Sequence, residues 1–164
     1  MQQIRPATPH DAPALADLYN HYIRHSIITF EEEPVSAQTM AIRLKKVQQE
    51  QGLPWLVAEH QGQLLGYSYA SQWKERQGYR YTVEGTLYLQ PTAQGQGLGS
   101  RLYQQLLEQL QALGKRQFIG VIALPNDASV ALHEKLGMVK VAHFHQVGFK
   151  FERWIDVGYW QKAL

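Results

Sequence analysis

Apolar positions recur along this chain with two distinct periods. Ala12, Leu15, Leu18, Tyr19, Tyr22 and Ile23 stand three and four residues apart, as they must to share one face of a helix. Thr8 is placed to cap that helix, with Pro9 in its first turn and Asp11 three residues after the cap. A second helix is expected from near Ser36 to Gly52, with Met40, Leu44 and Val47 on its apolar side. The longest stripe is Leu98, Leu102, Leu106, Leu110 and Leu113, and a last helix is expected between a cap at Asn126 or Asp127 and a stop at Gly137. Between these lie segments rich in β-formers: "QIRPAT", "WLVAEH", "QLLGYSYASQW", "TVEGTLYLQ" and "QFIGVIAL". The second and third are joined by a turn at Gln61 and Gly62, and the fifth is bounded by Gly114 and Pro125. The closing "MVKVAHFHQVGFKFERWIDVGYWQK" reads as two aromatic-rich strands turning near Gly148. This alternation predicts a mixed α/β fold built on one central sheet.

The 164 residues suit one domain spanning 1–164, and 45% apolar content is enough for one sizeable core. Sixteen basic residues nearly balance fourteen acidic ones and no run of five like charges occurs, so no nucleic-acid partner is expected. No stretch approaches the length of a membrane helix or a secretory signal, and a cytoplasmic protein is expected. With no cysteine, disulfides, thiolate catalysis and Cys-ligated zinc are excluded.

The most informative segment is "AQGQGLGSRLYQQLLEQLQALGK", where three glycines alternate directly before the long apolar stripe. Pro91 ends the preceding strand, so the glycines form a strand-to-helix connection. Such a loop offers free backbone N–H groups at the positive end of the helix dipole, and glycine lets an anion approach without a Cβ in the way. A pyrophosphate is the natural guest. A nucleotide triphosphate loop needs Lys then Ser or Thr after its last glycine, whereas this chain reads Gly99-Ser100-Arg101. A dinucleotide fingerprint needs G-x-G-x-x-G with an acid about 20 positions on, and no acid stands between Lys115 and Ile119.

Gln94-Gly95-Gln96-Gly97-Leu98-Gly99 resembles the Q/R-x-x-G-x-G/A acetyl-CoA signature of the GNAT superfamily of N-acetyltransferases. "NHYI", "PWLVAE", "TVEGTLYL", "LPNDASVALHEKLGM" and "VGFKFERWIDVGYWQ" resemble, in that order, the blocks of its phosphinothricin and methionine sulfoximine acetyltransferase branch. The resemblance implies the GNAT fold, a mixed central sheet splayed at the acetyl-CoA site and flanked by about four helices. It implies acetyl transfer to the α-amino group of a small amino-acid-like acceptor, with acetyl-CoA as co-substrate, no metal, and a homodimer.

Carried onto this chain, the resemblance assigns the cofactor strand to Leu87, Tyr88 and Leu89, and the pyrophosphate cradle to Gln94, Gly95, Gln96, Gly97, Leu98, Gly99 and Ser100. Asn126 corresponds to a cofactor-contacting residue that can also cap its helix. An α-amino group with a pKa of about 7.7–8.0 is mostly protonated at neutral pH, so a base must collect a proton, and Glu84 matches the family's acidic residue. Many relatives carry a Tyr as the acid for the leaving thiolate where this chain has His133. Asn126, Ser129, Val130 and His133 are spaced to share one helix face. Phe30 matches the border of the acceptor pocket, and Arg76, from the group Lys74, Arg76 and Arg80, offers a guanidinium fork for an acceptor carboxylate.

His21 with His25, and His143 with His145, have spacings compatible with a metal, but no acid stands near either pair in the sequence to complete a site. Two other readings stay open: acetyl transfer to a polyamine, an aminoglycoside or a protein N-terminus, and a CoA-binding module without chemistry. A carboxylate at position 84 favours catalysis over mere binding.

Overall fold

A computed structural model describes residues 2–164. Its elements run β1 (Gln3–Pro6), α1 (Ala12–His25), α2 (Ala37–Lys45), β2 (Trp55–His60), β3 (Gln63–Gln72), β4 (Thr82–Leu89), α3 (Leu98–Ala112), β5 (Gln117–Leu124), α4 (Asp127–Lys135), β6 (Val139–Lys150) and β7 (Arg153–Ala163). The seven strands form one sheet in the order β1-β2-β3-β4-β5-β7-β6. All neighbours are antiparallel except β4 and β5.

Local chemistry sets the element ends. The Thr8 N–H donates to Asp11 Oδ2 at 2.7 Å, closing the capping box before α1, and Arg5 grips both Asp11 and Glu59. Ser36 caps α2 by accepting from the Thr39 N–H at 3.0 Å. That helix is shorter than the apolar pattern predicts, because its last turn widens into a π-type turn over Lys46–Glu50. Leu98, Leu102, Leu106 and Leu110 of α3 are essentially inaccessible, but Leu113 lies beyond the helix end and is 54% exposed.

The reversal in the C-terminal hairpin falls three residues later than expected. Gly148 pairs with Ile155 inside the β6–β7 ladder, and the chain turns at Phe151 and Glu152, both with positive φ (52° and 57°). Two left-handed residues make the tight turn whose twist suits flanking strands, here without glycine.

The parallel pair positions the site. β4 and β5 are joined only over Thr82↔Gln117 to Gly85↔Gly120. Beyond that rung β4 stays with β3 as far as Leu89, while β5 follows β7 as far as Asp156. The two strands therefore part, leaving the outer edge of β4 along Thr86–Leu89 without a ladder partner on that side.

Candidate active site

Two recesses open from the parting of β4 and β5. The first, about 270 Å³, has Glu84, Thr86 and Tyr88 of β4 on one wall and Val121 and Ala123 of β5 on the other. Phe30, Tyr103 and His133 close it. The second, about 600 Å³, runs from Leu87, Tyr88 and Leu89 to the glycine loop and the start of α3. Its far wall is α4, with Asn126, Ser129, Leu132 and Lys135.

The groove ends in the geometry expected for an anion cradle. Gly95 and Gly97 have φ of 76° and 77°, in the left-handed region, and Gly97 is the residue that starts α3. This turns the loop so that the first N–H groups of a fifteen-residue helix meet the groove. Gln94, Gly95, Gly97, Gly99 and Ser100 line it. Gln96 and Leu98 do not: Gln96 donates to Thr92 O on the surface, and Leu98 is 1% exposed in the core. Gln94 is held by donating to Tyr22 Oη at 3.0 Å, and Tyr22 in turn donates to Leu89 O. Asn126 caps α4, accepting from the Ser129 N–H at 3.2 Å, while it also faces the groove.

Glu84 sits at the fork itself, paired with Ile119 one rung before the strands separate. Its surroundings raise the carboxyl pKa, and the cause is desolvation. His133 is 5% exposed and lies against β5, where a Cβ on Gly120 would come within 2.5 Å of its ring. Gly120 is thus the seat of His133, a requirement invisible in a strand that reads as plain core. His133 Nδ1 lies 2.7 Å from Ser129 O. A carbonyl can only accept, so Nδ1 carries the hydrogen and Nε2 keeps its lone pair. Burial also lowers the His133 pKa, so the neutral ring is favoured. In that state His133 accepts a proton, and it can act as an acid only after taking one up. Of the four residues expected on one face of α4, Asn126, Ser129 and His133 reach the recesses, and Val130 packs on the core.

The loop after α1 brings Phe30 to the first recess, with its ring against Gly148. Beneath it Lys150, 1% exposed, donates to Ser26 O at 2.8 Å and Thr29 O at 2.7 Å. Tyr19 hydrogen-bonds Thr29 at 2.8 Å, and Glu31 takes a two-pronged Arg43 at 2.6 and 2.7 Å. These ties fix the segment that carries Phe30. Arg76 is exposed on the loop between β3 and β4 and lies outside the walls of both recesses.

The sequence of residues 4–158 matches the family model described as an acetyltransferase (GNAT) domain. The chain belongs to the GNAT acetyltransferases. It is similar to a phosphinothricin N-acetyltransferase of Streptomyces viridochromogenes, 44% identical over 98% of this chain and 86% of that protein. An L-methionine sulfoximine/L-methionine sulfone acetyltransferase of Salmonella typhimurium is 35% identical over 98% of this chain and 94% of that one. Among solved structures, a GNAT phosphinothricin acetyltransferase of Sinorhizobium meliloti in complex with acetyl-CoA superposes with a TM-score of 0.96 at 35% identity. The match covers 99% of this chain and 88% of that one. The GNAT fold expected from the sequence, with its mixed sheet and four helices, is the fold observed.

Sequence reasoning missed several members of the site. Tyr103 lies in the leucine-striped helix and reads as core, yet it reaches the first recess beside Glu84 and His133. Lys135, a cation on the groove wall, reads as an ordinary helix-end lysine. The expectation that no acid completes the His143 and His145 pair is overturned: strand pairing brings Asp156 to both.

Proposed function

We propose that this chain, as one domain over residues 1–164, is an acetyl-CoA-dependent N-acetyltransferase for the α-amino group of a small amino acid of the phosphinothricin, methionine sulfoximine or methionine sulfone type. The observation that carries it is the position of Glu84 at the point where β4 and β5 part, with the acceptor recess on one side and the glycine-ended groove on the other. The names of the relatives support the acceptor class.

The groove fits acetyl-CoA in kind: an unpaired strand edge for an extended amide-bearing arm, a helix N-terminus for a pyrophosphate, and Lys135 for further negative charge. Glu84, directly or through one water, takes the proton of the acceptor ammonium. The freed amine lone pair forms the C–N bond to the thioester carbonyl carbon as the C–S bond breaks, and the sulfur leaves as thiolate. A thiol pKa of about 8.5 makes that thiolate a tolerable leaving group. The acylated nitrogen must still lose a second proton to become the amide, and the open Nε2 of His133 is assigned to take that one and hold it near the leaving thiolate. Transfer needs no metal in this scheme.

Two expected results follow here. His133→Phe keeps a ring over Gly120 and removes Nε2. Steady-state kinetics should show a kcat loss well under the ~10²-fold of an essential proton transfer. A defect confined to acetyl-CoA KM would instead make His133 a packing contact. The second concerns the acceptor carboxylate, for which the sequence suggested Arg76. Decarboxylated amine analogues should react roughly ten- to a hundredfold more slowly, the worth of a charge-assisted hydrogen bond. Because Arg76 lies outside the walls of both recesses, Arg76→Ala should keep that discrimination. Its loss in that variant would bring Arg76 back to the acceptor.

We further propose a homodimer, supported by large apolar side chains left outward on the β6–β7 hairpin, including Phe149 (50% exposed) and Trp154 (65% exposed). Sedimentation equilibrium giving the monomer mass at micromolar concentration would contradict it. Dependence on acetyl-CoA supports a cytoplasmic setting. No helix among the described residues is long and apolar enough to cross a membrane.

A further inference from the structure

His143 and His145 meet Asp156 across the C-terminal hairpin, thirteen and eleven positions away in sequence on the other side of the turn. His143 Nε2 lies 2.8 Å from Asp156 Oδ2 and His145 Nδ1 lies 3.3 Å from the same oxygen. The ligand-capable atoms of all three fall within 4.8 Å of one another, and the two imidazole centroids are 4.6 Å apart. The β6–β7 register shifts between Phe144 and Gly148, and Gln146 in that stretch has φ of 53°. The irregular stretch accompanies the convergence of both rings on one carboxylate. The Gln146 N–H donates to Asp156 Oδ1 at 2.8 Å, so the carboxylate is oriented with Oδ2 toward the histidines.

We propose that His143, His145 and Asp156 form a surface site for a borderline divalent transition-metal ion such as Zn²⁺. Two imidazoles and one carboxylate are a ligand set that binds first-row ions of this class, and they leave coordination positions for water. Imidazole nitrogen discriminates against Mg²⁺ and Ca²⁺, which take oxygen ligands. The backbone N–H on Asp156 Oδ1 plays the orienting role that outer hydrogen bonds play around metal ligands. The site is separate from the acetyl-transfer chemistry: Val157 lines the acceptor recess, and Asp156, its neighbour on the strand, points to the opposite face of the sheet. A bound ion would join β6 to β7 where their ladder is broken, in the hairpin that also supplies Lys150 and Gly148 to the Phe30 segment.

One neighbour opposes the ion. Lys140 Nζ lies 2.9 Å from His143 Nδ1 and 5.3 Å from the centre of the Trp160 ring. An ammonium donating to Nδ1 leaves the imidazole hydrogen on Nε2, the atom needed for the metal. Metal binding therefore requires Lys140 to release His143 and the hydrogen to move to Nδ1. This opposition gives the test a direction that a generic histidine patch would not show.

The experiment uses the full chain without an affinity tag, first stripped with a chelator, titrated with ZnCl₂ by calorimetry and followed by thermal melting. One Zn²⁺ should bind per chain and raise the melting temperature, and a chelator should reverse the rise. His143→Gln and Asp156→Asn should each weaken binding at least about tenfold, a loss already typical for disturbing a metal site's outer partners. Lys140→Met should tighten it. MgCl₂ should have no effect. Zn²⁺ binding that is unchanged in both His143→Gln and Asp156→Asn, that is lost instead on replacing His21 and His25, or that fails to reach one ion per chain would overturn the proposal.

Discussion

Glu84→Gln is expected to lower kcat by about 10²–10⁴-fold while leaving acetyl-CoA affinity nearly unchanged, because a positioned base contributes in that range and acts on the acceptor amine. The substitution keeps the side chain's shape at the fork of β4 and β5 and removes its ability to accept a proton. The pH profile gives an independent reading. Desolvation raises the Glu84 pKa, because burial penalises the charged carboxylate. The base works only when deprotonated, so activity is lost as pH falls through that raised pKa. The acid limb of the kcat/KM profile should therefore lie above the ordinary glutamate value of about 4.3. In Glu84→Gln this limb should disappear along with most of the rate. A variant that keeps wild-type kcat across the pH range would show that bulk water or another group collects the proton.

Gly97→Val is expected to abolish measurable acetyl-CoA binding while the protein remains folded. No atom lies within 4 Å of the Cβ position at Gly97, so the substitution meets no steric wall in the fold. The difficulty is the backbone. With φ at 77° an L residue is strained by about 1–2 kcal/mol, and a β-branched one is disfavoured further. The loop relieves that strain by rotating its N–H groups; if it does not, the new side chain occupies open space beside the groove that Gly97 lines, against the proposed pyrophosphate position. The apo protein should melt a few degrees lower, at about 2–4 °C per kcal/mol for a chain of this size. The ligand effect should be larger. A saturating ligand at a hundred times its Kd stabilises by ~2.7 kcal/mol, and that increment should be missing in the variant. Calorimetry showing unchanged affinity would move the pyrophosphate away from this loop.

Much of this was legible because it depends on short-range chemistry. The alternate glycines before a leucine stripe can be read without knowing the fold, and the groove is lined by four of the residues they indicated, with Ser100 beside them. Glu84 and His133 were marked by the segments around them, and the structure brings both to one recess. What was not legible depends on register. Asp156 is eleven positions from His145 and becomes its neighbour only through the β6–β7 pairing and its irregular stretch. The hairpin reversal was expected at glycine, but the turn uses Phe151 and Glu152 at positive φ. Lys150 is a single cation in an aromatic strand and would ordinarily be solvated. Only the return of the α1–α2 loop places two backbone carbonyls on its ammonium. Gly120 shows the same dependence, since its missing side chain acquires meaning once α4 lays His133 across it.

The most direct measurement of the central claim is product analysis after incubating the purified protein with acetyl-CoA and, separately, phosphinothricin, methionine sulfoximine, methionine sulfone, a polyamine, an aminoglycoside and a peptide with a free N-terminus. Free thiol release and mass spectrometry are read together. The proposed function requires thiol release matched one to one by acetylation of the α-amino group in at least one of the three amino acids, at rates well above the other amines. Acetyl-CoA binding with no thiol release for any acceptor, or acetylation confined to the polyamine, aminoglycoside or peptide, would contradict it.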